Sequence, residues 1–218
     1  SSLITFTGGV LRFTSGNTGD YSDVFSNSTG QQYRVDLYGQ NVSFANILSS
    51  NSGSFNLYDN YSGSPGTLSF TVSNTYTAGT FINSGKLKLT TSLGLPASRN
   101  VYVYGGTLDI NGTTPSVGTV TLYNASIIDS AVAPGTLTAT AYSVTTSTSS
   151  LASANLAGTS SVLTLSGAGT LTLSGTNTYS GGTVIGNGFG TLLLGSSAGL
   201  PSAQSLTINY GYLDIKGY

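Results

Sequence analysis

One passage of this chain occurs twice, and that repetition narrows the possible folds more than any other feature. Gly66-Thr67-Leu68, followed by Asn74-Thr75-Tyr76-Thr77-Ala78-Gly79-Thr80, returns 103 positions later as Gly169-Thr170-Leu171 and Asn177-Thr178-Tyr179-Ser180-Gly181-Gly182-Thr183. Two residues are then gained, and the match resumes at an offset of 105. Gly94-Leu95-Pro96 becomes Gly199-Leu200-Pro201, and Leu108-Asp109-Ile110 with Gly112 becomes Leu213-Asp214-Ile215 with Gly217. The 218 residues thus hold about two copies of one unit, approximately 10–112 and 113–217, and are expected to form a single elongated domain over 1–218.

Inside each copy the apolar residues alternate with polar ones. Leu68-Ser69-Phe70-Thr71-Val72, Lys86-Leu87-Lys88-Leu89, Val101-Tyr102-Val103-Tyr104, Val120-Thr121-Leu122 and Leu163-Thr164-Leu165 all follow the period of two that marks half-buried strands. Gly, Asn, Ser or Pro punctuates these runs, and no stretch has a helical period. The chain is therefore all-β. Disorder is excluded, because 38% of residues are hydrophobic and they are patterned.

Leu68, Leu87, Val103 and Val120 recur at intervals of 16 to 19 residues. That interval fits one coil of a parallel β-solenoid, with inward aliphatic ladders, outward Thr, Ser and Asn, and Gly at tight corners. A β-sandwich also spaces strands evenly, but usually at about 8–12 residues with hairpin turns. Asn-Gly occurs only at Asn111-Gly112 and Asn187-Gly188, so the sandwich stands as the alternative.

Composition removes whole classes of chemistry. Without Cys or His there is no thiol nucleophile, no Ser-His-Asp triad, no disulfide and no zinc site. Charged residues are 6% of the chain, against about 25% in an ordinary domain. Six scattered cations cannot neutralise a phosphate backbone, so nucleic-acid binding is not expected. No apolar run reaches the roughly 18 residues of a membrane span. The sequence opens on Ser1 rather than Met, as expected of a processed secreted chain or of a fragment.

Gly169-Thr170-Leu171-Thr172-Leu173-Ser174-Gly175, the Asn177–Thr183 run and the strand-like Gly190-Thr191-Leu192-Leu193-Leu194-Gly195 together resemble the autotransporter-associated β-strand repeat, or passenger-associated transport repeat. Gly66–Leu89 is a more diverged copy, with Ala78 where the motif prefers Gly. Gly105-Gly106-Thr107-Leu108-Asp109-Ile110-Asn111-Gly112 is also similar to the family. The resemblance covers most of 41–217 and is weak over 1–40. It implies a right-handed parallel β-helix outside a bacterial cell, and it supplies no active-site residues. It also comes without the C-terminal membrane barrel of an autotransporter, which needs eight or more strands of about 9–11 residues.

Few residues qualify as sites. Asp109 and Asp214 are repeat equivalents expected on one face about five coils apart, too far to act as an acid pair, and each suits a turn-capping role. Asp20, Asp23 and Asp36, with Asn17 and Asn27, form the one concentration of oxygen ligands, where calcium is conceivable although the spacing matches no standard calcium loop. The sequons at Asn27, Asn41, Asn60, Asn111 and Asn124 follow from Ser/Thr abundance. Tyr33, Tyr38, Tyr58, Tyr61, Tyr102, Tyr104, Tyr123, Tyr210 and Tyr212 suit cross-strand packing, with sugar stacking or a subunit contact as the alternative. No catalytic, cofactor or metal residue is assigned.

The ends carry no recognisable cap. After Leu213-Asp214-Ile215 the second copy stops, whereas the first continues into Val120–Ile128. The run Ile4-Thr5-Phe6-Thr7-Gly8-Gly9-Val10-Leu11 has the alternation of that continuation, so a neighbouring subunit's start fits the unmatched end, a head-to-tail contact that generates filaments. The leading expectation is a non-enzymatic, self-assembling structural protein of the bacterial exterior. A monomeric passenger stalk or adhesin comes next, then a glycan-binding module or a polysaccharide-degrading β-helix enzyme.

Overall fold

The computed structural model describes residues 3–218, so positions 1 and 2 of the expected unit lie outside the described residues. Two long parallel sheets run side by side up the molecule, one of ten strands and one of nine, with a two-stranded sheet at a third corner. The first sheet climbs from Leu11–Arg12 through Gln32–Asp36, Val101–Tyr104 and Ala141–Thr145 to Leu206–Ile208. The second climbs from Asn41–Phe44 through Thr107–Asp109 and Thr170–Leu173 to Gly211–Asp214. Every pairing between these strands is parallel, and each joins a strand to its counterpart one coil away. This is a β-solenoid of about ten turns, and the parallel pairing rules out the antiparallel sandwich.

The alternation seen in the sequence becomes axial ladders. In the first sheet Leu11, Val35, Leu57, Ile82, Val103, Leu122, Val144, Leu165, Ile185 and Ile208 stand in one register. In the second, Val42, Leu68, Leu87, Leu108, Ile127, Ala152, Leu173 and Leu194 do the same. Almost all are fully buried in one continuous core. Each such side chain contributes about 1.5–3 kcal/mol of transfer free energy, so the ladders dominate stability.

Coil length differs from the expected 16–19 residues. Register partners lie between 19 residues apart, as in Leu68↔Leu87, and 26 apart, as in Val42↔Leu68. Val103 belongs to the first sheet and Leu87 to the second, so the shorter spacing counted across two faces. The two residues gained by the second copy fall in the turn between Thr183–Ile185 and Gly190–Leu194, where Phe189 takes φ 61° and is 65% exposed. The ladders on either side keep step, because an insertion at a corner costs only loop length.

The N-terminal run behaves differently from the expectation. Ile4 forms a single parallel bridge to Phe25, and only Leu11–Arg12 becomes a strand. Phe6 packs edge to face on Phe25 and Tyr33, Phe25 does so on Phe44, and Phe13 leans on Phe44 and Tyr21, closing the first coil with a plug of rings. The Gln31 side-chain carbonyl accepts the Phe6 N–H there at 2.9 Å.

Candidate functional site

The repeated motif occupies the corner leading into the first sheet, and its residues hold three successive coils together. Asn74 is buried, and its Oδ1 accepts the Leu48 N–H of the coil below at 3.0 Å while its amide donates to the Gly94 carbonyl of the coil above at 2.9 Å. Asn177 repeats the clamp between the Leu156 N–H (2.9 Å) and the Gly199 carbonyl (2.7 Å). The Leu48 carbonyl takes the Tyr76 N–H, and the Leu156 carbonyl takes the Thr178 N–H, so both backbone groups of the lower coil are satisfied. Only a side chain with one acceptor and one donor end can do this. The clamp explains why a Gly-Leu-Pro follows each Asn one coil later, 20 residues on in the first copy and 22 in the second.

Tyr and Thr complete the motif. Thr80 and Thr183 point inward, in register with Phe55 and Leu163, where a lone hydroxyl carries a desolvation cost. The Tyr76 hydroxyl lies 2.6 Å from the Thr80 hydroxyl, and Tyr179 lies 2.7 Å from Thr183. Burial raises the pKa of both phenols, that of Tyr179 to about 12. Ala78, the diverged position, donates its N–H to Gly53, whereas a Cβ on Gly181 meets the Ser160 carbonyl oxygen at 2.5 Å. The coil beneath decides which residue the motif takes.

The carboxylates are structural neighbours of turns. Asp109 is buried, and its Oδ1 accepts the Asn111 and Ser130 N–H groups. Asp214 is exposed, and its Oδ1 accepts the Lys216 N–H. The two lie five strands apart in the second sheet, roughly 24 Å at the interstrand spacing. Along the ladder Asp214 aligns with Thr107 rather than Asp109, so in the second sheet the copies stand two residues out of step.

The oxygen-rich stretch does not converge. Asp20 accepts the Ser22 and Ala45 N–H groups, whereas buried Asp36 faces Arg12 at 2.8 Å together with Asn60. Burial opposes the Asp36 charge, yet the Asn60, Arg12 and Tyr38 donors together hold its carboxyl below the usual range. Asn17 bonds Tyr21, and Asn27 accepts from the Tyr33 hydroxyl and Ser49. Among the described residues no group of three or more acidic, His or Cys side chains is placed to hold a metal ion.

The tyrosines divide by face. Tyr33 belongs to the core. Tyr102 stacks on Phe81 with centroids 4.8 Å apart and planes 6° apart, and Tyr104 lies beside it. These rings pack face to face on each other, as in cross-strand ladder packing. Tyr38 meets Tyr61 edge to face and carries Arg12 over its ring at 4.8 Å. Tyr58 is half-buried, and Tyr123 is exposed in register with Tyr104. Tyr210 packs on Phe189, and Tyr212 is exposed beside them on the last coil.

That last coil is the largest concentration of uncovered apolar side chains. Leu206, Ile208 and Ile215 are 37%, 46% and 47% exposed, while their repeat equivalents Val101, Val103 and Ile110 are 1%, 0% and 0%. At the other end Leu3 and Val10 are exposed beside half-buried Ile4 and Leu11. No helix is long and apolar enough to cross a membrane.

Two segments, residues 62–89 and 163–194, match the family described as the passenger-associated-transport-repeat. Neither a curated protein nor a solved structure matches the chain. The matched segments contain the Asn clamps and the Tyr–Thr pairs, so the family pattern coincides with the residues that tie coil to coil. The chain is a parallel β-solenoid with two segments that match the passenger-associated-transport-repeat family.

Proposed function

We propose that this chain is a non-enzymatic structural element of the bacterial cell exterior, one elongated solenoid that extends by stacking head-to-tail on further copies of itself. The passenger-type repeat supports the surface location and the structural role. The observation that carries the assembly reading is the last coil, where Leu206 and Ile208 continue the first sheet's register, Leu213 continues the second's, and Leu206, Ile208 and Ile215 are exposed. A neighbour's Leu3, Ile4, Val10 and Leu11 offer a matching apolar edge, with Leu11–Arg12 as the receiving strand of the first sheet. Strand addition at both sheets continues the backbone hydrogen bonding, as in other parallel stacks. A charge of −1 leaves little repulsion against stacking.

The test is molar mass by light scattering over a range of concentrations. Mass that grows with concentration, and stays at one subunit when residues 1–12 are removed or Ile208→Asp is introduced, supports the assembly. A constant 22.1 kDa at every concentration overturns it and leaves a monomeric stalk or adhesin as the reading.

A further inference from the structure

Two corners inside the solenoid are built on the same turn, and only one of them carries aromatic rings. Asp36–Gly39 and Asp109–Gly112 both read Asp-x-x-Gly, with positive φ at the last two residues: Tyr38 and Gly39 (46°, 77°), Asn111 and Gly112 (44°, 73°). In both, the aspartate Oδ1 accepts the N–H two residues on, at 3.1 and 3.0 Å. A second aspartate from the next coil, Asp59 or Asp129, accepts the glycine N–H at 2.8 or 2.7 Å. It also accepts the N–H two residues after itself, that of Tyr61 or Ala131, at 3.3 or 3.1 Å. The backbone arrangement is the same at both corners, and Tyr38 and Tyr61 stand where the twin has Asn111 and Ala131. The twin shows that this turn closes without either ring.

Tyr38 is also the poorer residue for its position. Asn visits the left-handed region readily because its short polar side chain bonds locally, whereas a bulky side chain there is uncommon and costs free energy. Strain of this kind collects where a side chain has a task. Tyr61 takes its place only because Gly39 and Gly63 lack side chains, since a Cβ on either would overlap its ring. The two rings meet edge to face at 5.4 Å and stay 38% and 48% exposed, unlike Phe81 and Tyr102, which stack face to face.

Tyr38 and Tyr61 line a groove of about 480 Å³, together with Thr14, Ser15, Gln40 and Ser64. That volume lies within the usual range of small-ligand clefts, about 300–1,000 Å³. The hydroxyls of Tyr38, Tyr61, Ser15 and Ser64 make no hydrogen bond to any of the described residues. Gln40 donates its amide to the Tyr38 carbonyl, which leaves its own side-chain oxygen as a free acceptor. No charged residue among the described residues lines the groove. Arg12, over the Tyr38 ring at 4.8 Å, is neutralised by Asp36 at 2.8 Å, and Asp59 is occupied by three backbone N–H groups. Exposed rings bordered by hydroxyl and amide groups, with no unpaired charge, suit a ligand that has an apolar C–H face edged with hydroxyls. From this we infer that the Tyr38–Tyr61 corner is a binding site for a neutral pyranose unit of a polysaccharide. Its C–H face lies against Tyr61, and its hydroxyls bond Gln40, Ser64 and the tyrosine hydroxyls. None of these residues belongs to the apolar edge proposed to stack, so the site operates in a single subunit and recurs once per subunit in a thread, where it gains avidity.

The test is an NMR titration of the full chain at a concentration where light scattering gives one subunit, so the result does not depend on whether chains stack. The probes are hexamers of glucose, galactose, mannose and N-acetylglucosamine, with a glucuronate hexamer as the charged comparison. Expected are saturable shifts at Gly39, Gln40 and Tyr61 with at least one neutral probe, and none at Asn111 or Ala131. Tyr61→Ala and Tyr38→Asn copy the twin corner and so keep the turn closed, and each lowers the affinity for that probe by roughly tenfold or more. Absence of a response to every neutral probe overturns the proposal, as does equal affinity in the variants or tighter binding of the glucuronate hexamer. Loss of self-association in Tyr61→Ala with no sugar response in the parent also overturns it, and makes the rings a subunit contact.

Discussion

Replacing Asn177 by Ala isolates the contact that the repeat motif exists to make. The side chain is buried and spans from the Leu156 N–H at 2.9 Å to the Gly199 carbonyl at 2.7 Å. Ala leaves both backbone groups without those partners, and each buried unsatisfied group costs about 1–3 kcal/mol. Taking both together, the loss is about 3 kcal/mol, or roughly 6–12 °C in Tm for a chain of this size. Thermal and urea unfolding followed by far-UV circular dichroism measures it. A solenoid loses cooperativity when one interface weakens, so a broadened transition accompanies the shift. Asn74→Ala is equivalent, and since the clamps are five coils apart the double variant sums the two effects. A Tm within 1 °C of the parent for both single variants refutes the claim that these asparagines tie the coils together.

Other outcomes follow from the same geometry. Leu171→Asp or Leu192→Asp, inward and in register with each other, places an unpaired charge in the core and costs more than about 4 kcal/mol, read as loss of the folded circular dichroism signal. Gly135→Ala drives a methyl group into the Thr113 carbonyl and lowers Tm, whereas a Cβ at Gly9 meets nothing within 4 Å and Gly9→Ala leaves Tm unchanged. The phenols of Tyr76, Tyr142 and Tyr179 have folded pKa values raised by burial, so their contribution is complete below the unfolded value of about 10 and is lost as pH rises through the folded values. Tm therefore falls in alkali above about pH 10, and Tyr179→Phe reduces the slope. Asp36 has the opposite sign: its lowered pKa gives stability present above about pH 4 and lost as pH drops through the folded value, an acid sensitivity that Asp36→Asn removes.

How much of this was legible without coordinates differs from element to element. Period-two runs such as Lys86–Leu89 identified their inward residues, because in a strand the face follows from parity alone. The repeat located the Asn, Tyr and Thr positions without revealing their roles, since a three-coil clamp depends on which coils are adjacent. Coil length was misjudged because Leu87 and Val103 look alike in sequence but face the core from different sheets. The N-terminal plug was missed because Phe6, Phe13 and Phe25 lie at irregular intervals: the Ile4–Phe25 bridge brings Phe6 to Phe25, and Phe13 joins them through Phe44. Asp59 and Asp129, which accept the Gly39 and Gly112 N–H groups of the neighbouring coil's turn, had a readable signal in Asp59…Pro65-Gly66-Thr67-Leu68 and Asp129…Pro134-Gly135-Thr136-Leu137, but these loops differ by one residue and fall outside the 103-residue offset. Tyr33 and Tyr102 could not be told apart by composition; burial in one case and a stacking partner in the other assign them.

The most direct test of end-on continuation is electron microscopy of the negatively stained chain at rising concentration. Ten coils at the interstrand spacing give a subunit rise of roughly 48 Å, so coil-on-coil stacking predicts unbranched threads with an axial repeat near that value. Uniform short rods of about that length at every concentration, with no threads, contradict it.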